Sequence, residues 1–475
     1  MPDFILALDV GTTTVRAIAM NESGELVAGA RAPAAAQTPA PGLLEQDARA
    51  IFADLQRVIA DTLRELGIAP RDLAALGITS SRANIVVWDA RTGDPVAPMV
   101  SWQDLRGAAR ALELQALGFM VTHQTAASKF EAVLRAIDRG VDRVNSGALL
   151  WGNIDTFIAW KLSGGAVYAM DESHACATGY YDYFTGTWNE RLLSLHGVDA
   201  RSMPMLIDTF GVLGDWQGVS IAAMIADQQS AALAQGCLAA GVAKVTIGTS
   251  ATFDVHSGAA MLLAPGAYPL VHWRADGARH YCVEGMVNTA GAFLDWTAQM
   301  LGVDDAAALG DLAATQPHSN GVAVLPALQG LGTPHADPLA TARVLGLTRA
   351  TNRAHIARAA FEAIAFRIRE IDDAVYALPE LTRDTSLRVD GGGASSDFLL
   401  QLLADALGRP VERLTHNEAT ALGAALAAGV GIGAWSLKDV AAKRHTDRAF
   451  IPQWSADERD ARFAQWQRAV LGERA

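Results

Sequence analysis

Three short apolar runs open the chain, FILALDV, VRAIAM and ELVAGAR, with polar turns between them at Gly11 to Thr14 and at Asn21 to Gly24. They predict strands over Phe4–Val10, Val15–Met20 and Glu25–Arg31 in an antiparallel meander. In DARAIFADLQRVIADTLRELG the residues Ile51, Phe52, Leu55, Val58, Ile59, Leu63 and Leu66 recur at helical spacing, and Gly67 stands where that helix stops. LAALGITSS then reads as a buried strand ending in hydroxyl residues.

The opening pattern returns near residue 244. KVTIGTSATFDVHSG is again strand, Gly-Thr turn, strand, and the turns at Gly11 and Gly248 lie 237 residues apart, about half the chain. Self-similarity at that period predicts two related domains. A long helix over Asn352–Ala377, a strand LRVD and a helix over Asp397–Leu407 follow in the second half. Strands of both orientations mixed with helices predict an α/β architecture of layered domains. The boundary is expected near residues 232 to 242, with AALAQGCLAAG as a bridging helix, which gives domains 1–236 and 237–475.

Composition narrows the function classes. Of 475 residues 51% are hydrophobic, enough for large cores, and 38 basic against 51 acidic residues give a net charge of −13. That sign repels a phosphate backbone, so no nucleic-acid partner is expected. No stretch approaches 18 uninterrupted apolar residues and the N-terminus lacks a basic leader, so a soluble, cytoplasmic protein without a membrane partner is expected. Cys176, Cys237 and Cys282 are too scattered for a metal knuckle or a disulfide framework. His174, His335 and His416 stand isolated and receive no role.

Several turns carry chemistry. The turn Gly11-Thr12-Thr13-Thr14 points backbone N–H groups and hydroxyls into one concavity, a nest for an anion such as phosphate, and Asp9 before it is a hard oxygen ligand suited to Mg²⁺. A plain hairpin with satisfied hydroxyls is the competing reading; the second turn at Gly248 and Thr249 favours the phosphate. LRVDGGGASSDFLL sets Gly391, Gly392 and Gly393 between a strand and a helix beginning near Ser396, where the backbone can approach a nucleotide or simply pack tightly. In IAAMIADQQSAALAQG a strand from Ile221 delivers Asp227, followed by Gln228: either a general base with an amide neighbour or a helix N-cap. Arg82, Trp102, Gln103, Asp104 and Arg106 gather around a hairpin whose turn is ARTGDP, and a Trp among polar groups suits a polyol as well as a core.

Taken in order, ALDVGTTTVRA, LGITSSR, VSWQD, IDTFIAWKLSGG, IADQQSAALAQG, TIGTSATF, VEGMVNTAGAFLDW, VDGGGASSDF and EATALGAALAAGVGIG resemble the FGGY family of carbohydrate kinases over nearly the whole chain, its glycerol kinases above all. The resemblance implies two actin-like (ribonuclease H-like) domains with a nucleotide and substrate cleft between them, residues 1–236 binding the sugar or polyol and carrying the base, and 237–475 binding ATP. By the same resemblance Thr12, Thr13, Thr14 and Arg16 contact phosphate, with Asp9 near Mg²⁺. Gly248, Thr249, Gly291, Asp295, Gly392 and Ser396 would contact the nucleotide, Asp227 would be the base, and Arg82, Trp102 and Gln228 would hold the acceptor. Glycerol kinases carry a glutamate and a tyrosine where this chain has Ala83 and Gln124, which implies an acceptor larger than glycerol. The expected activity is ATP-dependent phosphorylation of a small polyol or sugar. A pentulose kinase is the alternative, an actin-fold sugar sensor or chaperone the rival from another class, and a homodimer is left open.

Overall fold

The computed structural model describes residues 4–472, which divide into two compact units. The first comprises residues up to 234 together with 271–279 and 420–443; the second comprises 235–270, 280–419 and 444 onward.

In the first unit the meander forms as expected. Strands β1 (Phe4–Val10), β2 (Thr14–Asn21) and β3 (Leu26–Pro33) pair antiparallel, with Val10 opposite Val15 across the Gly11 turn. Helix α1 (Ala48–Leu66) is capped by the Asp47 carboxylate, which accepts from the N–H groups of Arg49 and Ala50, and is ended by Gly67 at φ 69°. It lays Ile51, Leu55, Val58, Ile59 and Leu63 on the sheet, the face its periodicity marks. Strand β4 (Leu73–Ser80) runs parallel to β1. Helices α2 (Ala126–Arg135) and α3 (Ile154–Leu162) and the single turn α4 (Glu172–Ala175) come next. Strands β5 (Phe210–Trp216) and β6 (Val219–Ala226) complete a six-stranded sheet of order β5-β6-β4-β1-β2-β3. Helix α5 (Asp227–Ala234) leaves directly from β6.

The second unit repeats the plan. Strands β7 (Ala243–Ile247) and β8 (Ala251–Gly258) pair antiparallel across the Gly248 turn, followed by β9 (Tyr268–Ala275), whose residues from 271 on group with the first unit, and β10 (Ala278–Val287). After helices α6 (Gly291–Leu301) and α7 (Arg353–Val375), strand β11 (Leu387–Asp390) runs parallel to β7 as β4 does to β1. With α8 (Asp397–Leu407), β12 (Val411–Leu414) and β13 (Thr446–Phe450) the sheet order is β9-β10-β8-β7-β11-β12-β13. Each unit has its own core.

Helix α9 (Ala419–Gly431) groups from Thr420 with the first unit. Its backbone lies directly on that sheet: a Cβ on Gly77 of β4 would overlap the Ala424 carbonyl, and one on Gly423 the Ser230 carbonyl. Glycine is required at these close approaches because no side chain fits.

One expectation needs correction. AALAQGCLAAG is not a bridging helix: α5 stops at Ala234 and the chain turns at Gly236, φ 71°. The turn ARTGDP closes as expected, with Asp89 N–H donating to Asp94 O at 3.0 Å and Val96 N–H to Val87 O at 2.9 Å, its arms meeting at antiparallel bridges Trp88–Pro95 and Ile85–Val100. Val86–Asp89 also pairs antiparallel with Leu149–Gly152, a partner some sixty residues away that no local pattern announces.

Candidate active site

In the first unit the parallel strands β4 and β6 end side by side, Ser80 in register with Ala226. The next residues are therefore neighbours: Arg82 Nε lies 3.6 Å from Asp227 Oδ1, both side chains partly exposed. Gln228 N–H donates to the same carboxylate oxygen at 2.8 Å. A carboxylate at a strand end with a guanidinium alongside can orient a hydroxyl and take its proton.

The Gly11 turn is closed by Gly11 N–H donating to Thr14 O at 3.0 Å, with Thr13 exposed and Thr12 and Thr14 half-buried. Trp102 Nε1–H donates to Thr12 Oγ1 at 3.0 Å, so the aromatic ring and the hydroxyl turn belong to one surface. At the foot of the turn Asp9, 2% exposed, is held by Arg16 Nη1 at 2.8 Å. Asp104 and Arg106 serve that surface from below: Asp104 accepts from Leu44 N–H at 2.6 Å and pairs with Arg106, and these partners outweigh burial to hold its carboxyl below the usual range. Gln103 is exposed.

The second unit gathers the remaining candidates. Gly248 N–H donates to Ser250 O at 2.8 Å, leaving Thr249 exposed, and Gly291 N–H at the head of α6 donates to Gly248 O at 2.9 Å. A Cβ on Gly291 would stand 2.5 Å from that carbonyl, so only glycine lets α6 seat on the turn. Asp295, one turn along α6, is exposed. In the triple glycine, a Cβ on Gly391 would lie 2.6 Å from Ile247 O and one on Gly393 would strike the Ile247 side chain, whereas Gly392 faces open space. Packing accounts for two of the glycines; Gly392 is left exposed. Ser396 Oγ caps α8, accepting from Leu399 N–H at 3.2 Å, so its first duty is to the helix.

Two buried features escaped the sequence reading. Lys129 on α2, fully buried, donates from Nζ to the carbonyls of Ser101, Trp102 and Gln124 at 2.9, 3.1 and 3.0 Å. Burial pushes its ammonium down to about 7, with Asp104 opposing. Asp155, Asp171 and His174 form a fully buried cluster. Asp171 and His174 share one helical turn, a spacing visible in MDESH, but Asp155 sits on another helix. Among the described residues no helix is long and apolar enough to cross a membrane.

Residues 4–233 match the N-terminal domain of the FGGY family of carbohydrate kinases, and residues 243–432 match its C-terminal domain. The chain belongs to that family. It is accordingly a carbohydrate kinase, and its reaction is phosphoryl transfer from ATP to a hydroxyl of a sugar or polyol. The kinase is 38% identical over 488 residues to a glycerol kinase of Citrifermentans bemidjiense, with 98% of each chain covered. Its fold matches the crystal structure of Plasmodium falciparum glycerol kinase with ADP at a TM-score of 0.92 and 24% identity, covering 99% of this chain and 98% of that one. A xylulose kinase from Rhodospirillum rubrum matches at a TM-score of 0.85 and 25% identity over 98% and 97% of the two chains.

Proposed function

We propose that this kinase phosphorylates a small polyol, glycerol or a longer homologue, with Asp227 as the general base. The observation that carries this reading is the juxtaposition of Arg82 and Asp227 at the adjoining ends of β4 and β6. Arg82 and Gln228 hold acceptor hydroxyls, Trp102 packs against the carbon skeleton, and Asp227 receives the proton as the acceptor oxygen attacks. Phosphoryl transfer asks mainly for positioning and charge neutralisation, so few groups suffice. Thr12, Thr13, Thr14 and Arg16 meet the transferred phosphoryl group; Gly248, Thr249, Gly291, Asp295, Gly392 and Ser396 hold the nucleotide. Asp9, nearly buried and ion-paired with Arg16, would hold Mg²⁺ near the phosphates, where the ion would supply charge neutralisation. ATP as donor is in keeping with a cytoplasmic reaction.

The relatives named glycerol kinase support glycerol as acceptor. Ala83 supports something larger: it is buried beside Arg82 and offers no hydrogen-bond acceptor to a hydroxyl. A pentulose is the second reading, favoured by the same residue and by the likeness to a xylulose kinase fold. An ADP-release screen over glycerol, four- and five-carbon polyols and ketopentoses decides between them; turnover with ketopentoses alone overturns the polyol reading. Asp227→Asn is expected to bind ATP normally and to lose at least about a hundredfold in kcat. Full turnover in that variant removes Asp227 from the mechanism.

A further inference from the structure

The kinase reaction leaves one buried cluster unexplained, and it touches both strand ends of the site. Asp155 on α3 and Asp171 and His174 at α4 have no exposed surface, and one ligand atom from each lies within 4.8 Å of the others. His174 Nδ1 stands 2.6 Å from Asp171 Oδ1 and 3.5 Å from Asp155 Oδ2; Nε2 stands 3.1 Å from Ser80 Oγ.

The hydrogen-bond pattern sets the protonation of the ring. Asp171 accepts from the N–H groups of Ser173 and His174 at 3.1 and 3.2 Å and from the hydroxyls of Ser173 and Thr209 at 2.6 and 3.0 Å, an environment for a carboxylate. It therefore receives a proton from Nδ1 as well. Ser80 Oγ stands 3.1 Å from both Ser81 O and His174 Nε2, so its single hydrogen can serve the carbonyl while the oxygen accepts from the ring. In that arrangement both ring nitrogens donate and the ring is an imidazolium, the form that suits the two carboxyl groups beside Nδ1.

The same side chains hold the site. Ser80, receiving from His174, is two residues before Arg82. Ser173 Oγ, donating to Asp171, accepts the N–H of Ala226 at 2.9 Å, one residue before Asp227. We propose that the His174 imidazolium, clamped between Asp155 and Asp171, is a positioning residue that fixes the ends of β4 and β6 and so sets the separation of Arg82 from Asp227. This rests on the reading of Asp227 as the base.

Electrostatics supports the geometry. Burial alone pushes His174 down, but Asp155 first, then Asp171 and Asp227, raise it to about 9. Burial pushes Asp155 up to about 6 against the pull of His174. The other groups of the neighbourhood are Arg82, at the end of β4, and the Cys176 thiol, which burial pushes up to about 12 and keeps neutral. Without the imidazolium two buried carboxylates face each other uncompensated, and the turn that carries them must shift or take up a proton. A shift on the order of 1 Å at reacting groups costs about a hundredfold in rate.

The triad also has the donor set of a divalent-metal site. The 2.6 Å Nδ1–Asp171 contact argues for a proton instead, since ligands around a tetrahedral ion sit roughly 3 Å or more apart.

The test uses the full chain with ¹⁵N-labelled histidine. At pH 7.5 one ring is expected to show two protonated nitrogens, a signal that disappears in His174→Gln. His174→Gln and Ser173→Ala are each expected to lower kcat about tenfold or more with KM for ATP unchanged, and Ser173→Ala to keep the imidazolium signal. A His174 ring with one bare nitrogen, unchanged kcat in either folded variant, or a stoichiometric divalent ion in the wild type that His174→Gln loses would each overturn the proposal. Should His174→Gln not fold, the wild-type spectrum and Ser173→Ala still decide. Full activity in Asp227→Asn would sink the base assignment while leaving the ring signal untouched, so the two failures are distinguishable.

Discussion

Lys129 shows how one buried side chain can organise a surface it never reaches. Its three N–H groups meet three carbonyls, one of them that of Trp102, so the ring that donates to Thr12 is held from behind by an ammonium. Burial lowers the folded pKa to about 7 from 10.5. For a base with a depressed folded pKa, the unfolded chain binds the extra proton between those values, so stability gains as pH rises from about 7 to about 10. Lys129→Met lacks that titration. The difference in Tm between wild type and Lys129→Met is therefore expected to move in favour of the wild type across that window, and Lys129→Met should raise KM for the acceptor at neutral pH by freeing Trp102. A parallel pH course for the two proteins would show that Lys129 does not titrate there. The place of Asp227 at the end of β6 was legible in the sequence because the residue follows a buried apolar run directly. Lys129 and His174 were not, because a buried charge is defined by its partners, and Ser80 is 94 residues from His174.

At the scale of the element, the two Gly-Thr turns and the triple glycine show local code and packing acting together. Strand, tight turn and strand were readable because alternation and turn residues act over a few positions. That Gly391 and Gly393 are required by packing was not, since that depends on Ile247, over 140 positions earlier. Gly391→Ala, at φ 85° with a Cβ 2.6 Å from Ile247 O, is expected to destabilise the protein by about 2 kcal/mol or more, read as a fall in Tm. Gly392→Ala should keep the wild-type Tm and raise KM for ATP, because its methyl occupies the open side. An unchanged KM there would detach Gly392 from the nucleotide.

For the whole molecule, the first unit is completed by two later segments of chain, 271–279 and 420–443. Helix α9 seats on β4 and α5 through Gly77 and Gly423, and Ser230 Oγ donates to Thr420 O at 2.7 Å. A chain ending at residue 234 should therefore expose the apolar face that α9 covers and precipitate on expression, and a peptide spanning 420–443 should restore solubility. A soluble, cooperatively folding 1–234 fragment would show that α9 adds little. The internal repeat foretold two related units, and the sheet orders β4-β1-β2 and β11-β7-β8 bear that out. The return of α9 to the first unit is invisible in the sequence, where ALGAALAAG reads only as a small-residue helix.

What the sequence determined by itself was the run of elements, the doubled strand-turn-strand plan and the family, because periodicity and turn chemistry are written over neighbouring residues. The tertiary structure alone decided which carboxylates stand beside His174, which carbonyls surround Lys129 and which glycine is left open. Burial turns those encounters into protonation states and positions, and burial is a property of segments brought together from distant parts of the chain.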